Sequence, residues 1–464
     1  MELRKDHNSR LKILLTPFTK GGLRGIFLSF FIFHFSFCID SLASDQIPAR
    51  KQERPIALVG GTIHTITKGV IEKGTILLDQ GKITAIGEEV LIPANAEVIQ
   101  VEGRHLYPGL ISGNTEMGLT EIGEVRATID VAEVGMINPN VRAEVACNPE
   151  SELIPVTRAN GITLAASVPK GGLIAGTSAL LRMDGWTWEE MTMKAPLAQN
   201  LYWPTMTTVQ AWWMEKSEEE QKKEREKALK EIENAFKEAR SYWIAKKAER
   251  MKGIPYHKTD MRWEAMIPLF EKEIPLVIWA NEIQQIESAV AFAERENLEL
   301  IIGGGYDSWR VRDLLKKRNI PVLCGGVHRT PSRRWEDYDL PFKVPLKLYE
   351  AGIPFCIITD GWTSNERNLP YHAAMAAAYG LPKEEALKAI TLYPAQIFGV
   401  DDRVGSLETG KDATLIVTTG DPLEITTQVE QVYINGKAVS METRHTRLFR
   451  KYDGRPRGPM ARKR

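Results

Sequence analysis

Two carboxylates close apolar, strand-like runs. Glu116 ends Leu110-Ile111-Ser112-Gly113-Asn114-Thr115-Glu116, and Asp360 ends Pro354-Phe355-Cys356-Ile357-Ile358-Thr359-Asp360. Held on neighbouring strands, such a pair can divide general-acid and general-base work, one member taking a proton from water while the other returns one. The same two groups could equally do no more than bind loops and water. His328, in Gly325-Gly326-Val327-His328, lies just past another apolar run and could reach the same place, although a lone histidine is more often a hydrogen-bonded loop residue. The run Pro169-Lys170-Gly171-Gly172-Leu173-Ile174-Ala175-Gly176-Thr177-Ser178 is rich in glycine but lacks the Gly-Lys-Ser/Thr ending that cradles phosphate.

Composition bounds the classes open to this chemistry. The chain has 464 residues, with 60 Lys and Arg against 60 Asp and Glu, eight His and four Cys. Neutral balance argues against nucleic-acid binding, which needs a basic excess, and the 43% apolar content is that of a globular chain. Residues 1–43 read as a cleavable export signal: Lys12, Lys20 and Arg24 precede the apolar run from Ile26 to Ile39, and Ser41-Leu42-Ala43 offers small residues for cleavage. The expected location is therefore secreted or periplasmic, and no later segment is apolar enough to span a membrane. Cys147, Cys324 and Cys356 remain after cleavage, too few for a disulfide framework, and the latter two lie in apolar runs as buried small side chains.

The elements that must position the carboxylates follow from texture. Residues 55–107 carry short β-branched runs broken by Gly and Asp turns, and the same texture returns in residues 400–440. Neither half has enough strands to bury a core alone, so both ends should build one composite β-sandwich with the middle inserted. Residues 108–399 alternate apolar runs with helical stretches, the pattern of an α/β protein with a TIM-like (β/α)₈ barrel, whose chemistry sits at the carboxyl ends of its strands. Runs such as Pro275-Leu276-Val277-Ile278-Trp279 and Leu298-Glu299-Leu300-Ile301-Ile302 suit strands buried on both faces. Residues 217–250 form one amphipathic helix, opened by a Ser217 and Glu220 capping box and docked through Leu229, Ile232, Phe236, Ala239 and Trp243. Residues 441–464 read as an exposed basic tail.

Several of these stretches resemble the amidohydrolase superfamily of metal-dependent hydrolases, in particular its imidazolonepropionase-like branch. The entry Gly103-Arg104-His105-Leu106-Tyr107-Pro108-Gly109-Leu110-Ile111 is similar to that superfamily's first barrel strand. The exit resembles it more strongly, in Gly380-Leu381-Pro382, Pro394-Ala395 and Gly405-Ser406-Leu407-Glu408-Thr409-Gly410-Lys411-Asp412-Ala413. The resemblance implies a divalent, zinc-like metal that activates water. It further implies two histidines at the end of strand one, one histidine each after strands five and six, often a carboxylated lysine, and an aspartate after strand eight that also moves the proton.

The chain departs from that set. Asn114 and Glu116 stand where the two histidines belong, Trp279 or a neighbour where the strand-five histidine belongs, and strand six runs into Gly303-Gly304-Gly305. Asp360 keeps its place. An amide is a poor transition-metal ligand, and a carboxylate shifts preference to harder cations. Metal candidates are thus reduced to Glu116, His328 and Asp360, with Lys170 and Lys194 the lysines to inspect for carboxylation. Asn114, Trp279 and His328 are the candidate substrate contacts, and most tryptophans lie between Trp186 and Trp335, where some could line a pocket for an apolar or ring-bearing small molecule. The expected function is an exported hydrolase acting on non-peptide C–N bonds, amide or cyclic amide, or on small peptide-like amides, with Asp360 as base and Glu116 as its partner. The alternative is an inactive barrel that binds a small ligand or a protein.

Overall fold

A computed structural model describes residues 46–210, 214–249 and 255–455. The expected signal segment and the last residues of the basic tail lie outside the described residues. Both chain ends meet in one eight-stranded sheet. The first end supplies β1 (Ile56–His64), β2 (Val70–Asp79), β3 (Lys82–Gly87), β4 (Glu97–Gln100) and β5 (His105–Pro108). The second supplies three strands, ordered here after those of the barrel: Leu415–Thr418, Val429–Ile434 and Lys437–Val439. Strand β5 pairs with both β1 and Leu415–Thr418, so it joins the two ends directly. An isolated bridge from Lys82 to Asp412 brings the far edge back to the chain just before Leu415, curling the sheet around Leu58, Ile63, Ile76, Leu106, Leu415 and Tyr433.

The middle forms a second eight-stranded sheet, in the order β6 (Leu110–Thr115), β7 (Ile162–Ser167), β8 (Ile174–Arg182), β9 (Thr192–Tyr202), β10 (Leu276–Ala280), β11 (Leu300–Gly304), β12 (Val322–Cys324) and β13 (Phe355–Ile357). Its interior is filled from alternate strand positions by Ile111, Leu164, Val277, Ile301 and Leu323, and its base is stopped by Phe398 and Val404. Strand β8 runs antiparallel to both neighbours, unlike the all-parallel barrel expected. The reason is connection length. Only residues 168–173 join β7 to β8, and a parallel return needs a crossover of about a dozen residues or more.

The ends of this sheet, β6 and β13, meet through an intermediary. Ile111 N donates to Ile390 O at 2.8 Å, and Ile357 N donates to Ala389 O at 3.0 Å, so residues 389–390 fill the seam at the base. At the mouth Glu116 N donates to Gly361 O at 3.1 Å. The ring is therefore nearly closed, with Glu116 and Asp360 at adjoining strand ends.

The long helix runs Glu218–Glu249, and Ser217 and Glu220 form the expected reciprocal cap. It buries Ile232, Phe236, Ala239 and Tyr242, with Trp243 only packed at the edge. Cys147, Cys324 and Cys356 are buried free thiols. Part of the basic tail forms a helix, Arg444–Asp453. Among the described residues no helix is long and apolar enough to cross a membrane.

Candidate active site

Seven parallel strands point their carboxyl ends to one mouth, and the residues brought there come from the ends of β6, β9 and β10 and from the loops after β6, β7 and β13. The glycine-rich run from Pro169 to Ser178 is split between a turn and a strand. Residues 168–173 turn the chain, and β8 begins at Ile174. Gly172, at φ +66°, permits the turn, because a Cβ there would lie 2.8 Å from the carbonyl oxygens of Gly135 and Met136. Lys170 N donates to Val131 O at 2.7 Å, which ties this turn to the long loop after β6 and fixes the direction of the Lys170 side chain.

That side chain forms an ion pair with Glu116 Oε1. Thr120 Oγ1 donates to the other carboxylate oxygen, Oε2, at 2.9 Å. Glu116 is thus buried with both oxygens engaged. Asn114 and Lys170 both converge on Gly361: a Cβ at Gly361 would meet Asn114 Nδ2 at 2.8 Å and Lys170 Nζ at 3.4 Å. The Asn114 amide is buried, and its Oδ1 has no hydrogen-bond partner among the described residues. Asp360 differs: it is exposed, its Oδ1 accepts from Trp362 N at 3.2 Å, and its Oδ2 accepts from Asn365 Nδ2 at 3.3 Å. Glu116 and Asp360 therefore share a strand seam, but each carboxylate is held by groups of its own loop or by Lys170.

An aromatic wall adjoins the ion pair. Tyr202 donates its hydroxyl to Pro169 O at 3.1 Å, and burial, with Glu116's charge second, raises its pKa. Tyr202 stacks on Trp279 with ring centroids 5.9 Å apart, and Trp279 Nε1 donates to Asn200 Oδ1 at 3.2 Å. Trp279 is held by Tyr202 and Asn200, contacts that the sequence did not reveal. His328 stacks on His372 at 4.2 Å. Burial lowers the pKa of both, that of His372 to about 3 with His328 adding to the effect.

Glu366 was not anticipated. It is fully buried beside the β6–β13 seam, where Thr359 Oγ1 donates to its Oε2 at 2.9 Å and Ser112 and Thr115 face it from β6. Burial pushes its carboxyl up to about 7, with Asp360's charge adding a little and the three hydroxyls opposing. Lys194, by contrast, is far from the mouth: it donates to Phe398 O at 2.7 Å at the barrel base and is no candidate for carboxylation at this site.

The Amidohydrolase family model matches residues 344–439. An amidohydrolase from Thermotoga maritima MSB8 has the same fold, with a TM-score of 0.75 and 27% identity over 83% of this chain and 99% of that one. Together these matches support membership of the amidohydrolase superfamily. Amidohydrolase tasK of Hapsidospora irregularis is 22% identical over 400 residues, 79% of this chain; the chain spans only 40% of that relative's length. An imidazolonepropionase of Syntrophobacter fumaroxidans is 36% identical over 77 residues, 16% of this chain and 18% of its own.

Members of the amidohydrolase superfamily are typically metal-dependent, and the donor set here does not fit that group. Glu116 already faces a cation, Lys170, and its second oxygen is taken by Thr120. Asn281 and Gly303–Gly305 follow β10 and cap β11 in place of imidazoles. The three expected metal candidates do not form a ligand set: His328 packs on His372, Asp360 caps residues 362–365, and among the described residues no cluster of three or more His, Cys, Asp or Glu is placed to hold an ion.

Proposed function

We propose that this amidohydrolase-superfamily member hydrolyses a non-peptide C–N bond, in a small amide, cyclic amide or peptide-like amide, with Lys170 supplying the positive charge that a metal would bring. The supporting observation is the convergence of Lys170, Glu116 and Asn114 on Gly361, the neighbour of Asp360. Asp360 is the exposed carboxylate at the mouth and takes a proton from water as the water oxygen bonds to the substrate carbonyl carbon. The carbonyl oxygen gains the negative charge and is stabilised by the Lys170 ammonium, whose charge Glu116 holds in position. The C–N bond then breaks as protonated Asp360 returns the proton to the leaving nitrogen. The unpaired Asn114 Oδ1 is an acceptor for a substrate N–H, and the Tyr202–Trp279 stack offers an apolar surface for a ring or acyl chain. The amino-terminal signal would deliver this activity to the periplasm or the medium.

A second reading, a barrel that binds a small ligand without turning it over, is favoured by the replacement of the expected histidines. Purified protein assayed on N-acyl amino acids, dipeptides and cyclic amides separates the two. Turnover that survives a chelator and falls by about 10²-fold or more in Asp360→Ala is expected. Activity that requires added metal, or saturable ligand binding without turnover, overturns the proposal.

A further inference from the structure

The helix Arg444–Asp453 sits on the protein in an unusual orientation. A surface helix normally turns its apolar stripe inward. Here Leu448, Phe449 and Tyr452 occupy one face and are exposed by 37%, 69% and 61%, and no residue of the helix is buried. The face turned to the body is polar. Arg447 pairs with Glu152 at 2.9 Å, and a capping box between Thr443 and Thr446 fixes the start. Arg444 and Lys451 border the apolar face, while Arg450 lies on the far side of the helix and pairs with Glu442 at 2.6 Å; residues 444–464 together carry nine Lys and Arg against Asp453.

We propose that this helix is a docking surface for an anionic lipid membrane, lying parallel to the bilayer with Leu448, Phe449 and Tyr452 in the headgroup region. Two observations choose that occupant. An exposed Leu–Phe–Tyr stripe needs an apolar phase, and its basic margins need a dense negative surface; an anionic bilayer supplies both in one plane. Tyrosine at such a boundary also suits an interface that is apolar below and wet above. Because the helix is fixed by Arg447 to the loop after residue 148, binding would hold the whole molecule at the membrane. The inference is independent of the hydrolytic reading, since no residue in it touches the barrel mouth.

Vesicle binding by the full chain tests it. Vesicles of equal phosphatidylglycerol and phosphatidylcholine should sediment the protein, vesicles of phosphatidylcholine alone should not, and raised salt should weaken binding. Phe449→Asp should lower the affinity at least about tenfold, and Arg444→Glu with Lys451→Glu should lower it further, about fivefold for each charge removed. These positions are exposed, so the variants should keep the wild-type melting temperature. Hydrogen exchange supplies a local readout: amides of residues 444–453 should slow with the anionic vesicles and not with phosphatidylcholine. Binding that Phe449→Asp leaves unchanged, or that brings no protection to this helix, overturns the proposal. So does a lipid-free dimer that Phe449→Asp dissolves, which would make a second copy of the chain the occupant.

Discussion

The Lys170 ammonium lies against the Glu116 carboxylate just past the end of β6. A positive charge is thus kept at the site by the chain itself, and it is joined to β6 by an ion pair between residues far apart in sequence. Glu116's side chain is 9% exposed and Lys170's is 31%. Removing the lysine would strand a largely buried carboxylate. Lys170→Met should therefore destabilise the fold by about 2 kcal/mol, less than a fully buried pair because water still reaches the ammonium. Urea denaturation should show part of that loss recovered in the double variant Lys170→Met with Glu116→Gln, which removes the stranded charge. A double variant as unstable as the sum of the singles would mean that the two groups do not act together.

Glu366 gives a pH signature. Its carboxyl is raised from 4.5 to about 7, so the folded chain holds a proton that the unfolded chain has released over that window. Stability from this group is full below about 4.5 and is lost as the pH rises to about 7. Glu366→Gln keeps the shape and cannot ionise. Melting temperature measured from acid to neutral pH should fall for the native chain relative to this variant, and parallel profiles would show that Glu366 does not titrate there.

His372 should act in the opposite sense. Its pKa is lowered from 6.5 to about 3, chiefly by burial, and its Nδ1 has no partner among the described residues. The folded chain keeps it neutral, while the unfolded chain protonates it below about 6.5. Its contribution is complete above that pH and drains away as the pH falls toward about 3, at up to about 1.4 kcal/mol per pH unit. His372→Phe, of similar size, should flatten the acid limb of the stability profile. An unchanged limb would place acid sensitivity elsewhere.

Much of this fold is legible because burial writes itself into sequence. Strands β10 and β11 are buried on both faces and read as continuous apolar runs, so their positions were found to within a residue or two. The turn textures at the two ends pointed to one composite β-sandwich, and the two ends in fact share a single curled eight-stranded sheet. Strands β8 and β9 do not read as strands in the sequence because Lys170, Gly171 and Gly172 just before one, Gly176 within it, and Pro196 within the other imitate a loop. The aspartate and glutamate of the site were visible as strand-end carboxylates. Their partners were not, since the ion pair to Lys170 depends on how a six-residue turn folds back. Glu366 was hidden in Ser364-Asn365-Glu366-Arg367-Asn368, a polar stretch that looks solvated until the seam encloses it.

The link between sheet and barrel makes the sharpest packing test. Gly109 alone separates β5 from β6, and a Cβ there would fall 2.1 Å from Thr163 Oγ1, 2.5 Å from its Cγ2 and 2.7 Å from its Cβ. Thr163 lies on β7, is fully buried, and donates through Oγ1 to Leu110 O at 3.4 Å, so it has no free space to retreat into. Gly109→Ala should then force β5 and β7 apart at the entry to the barrel and destabilise the protein by about 2 kcal/mol. Thr163→Gly removes all three clashing atoms, and although it opens a small void of its own, it should make Gly109→Ala nearly neutral when the two are combined. Denaturant unfolding of the two single variants and the double variant measures this coupling directly. Additive losses would show that the strain at Gly109 comes from somewhere other than Thr163.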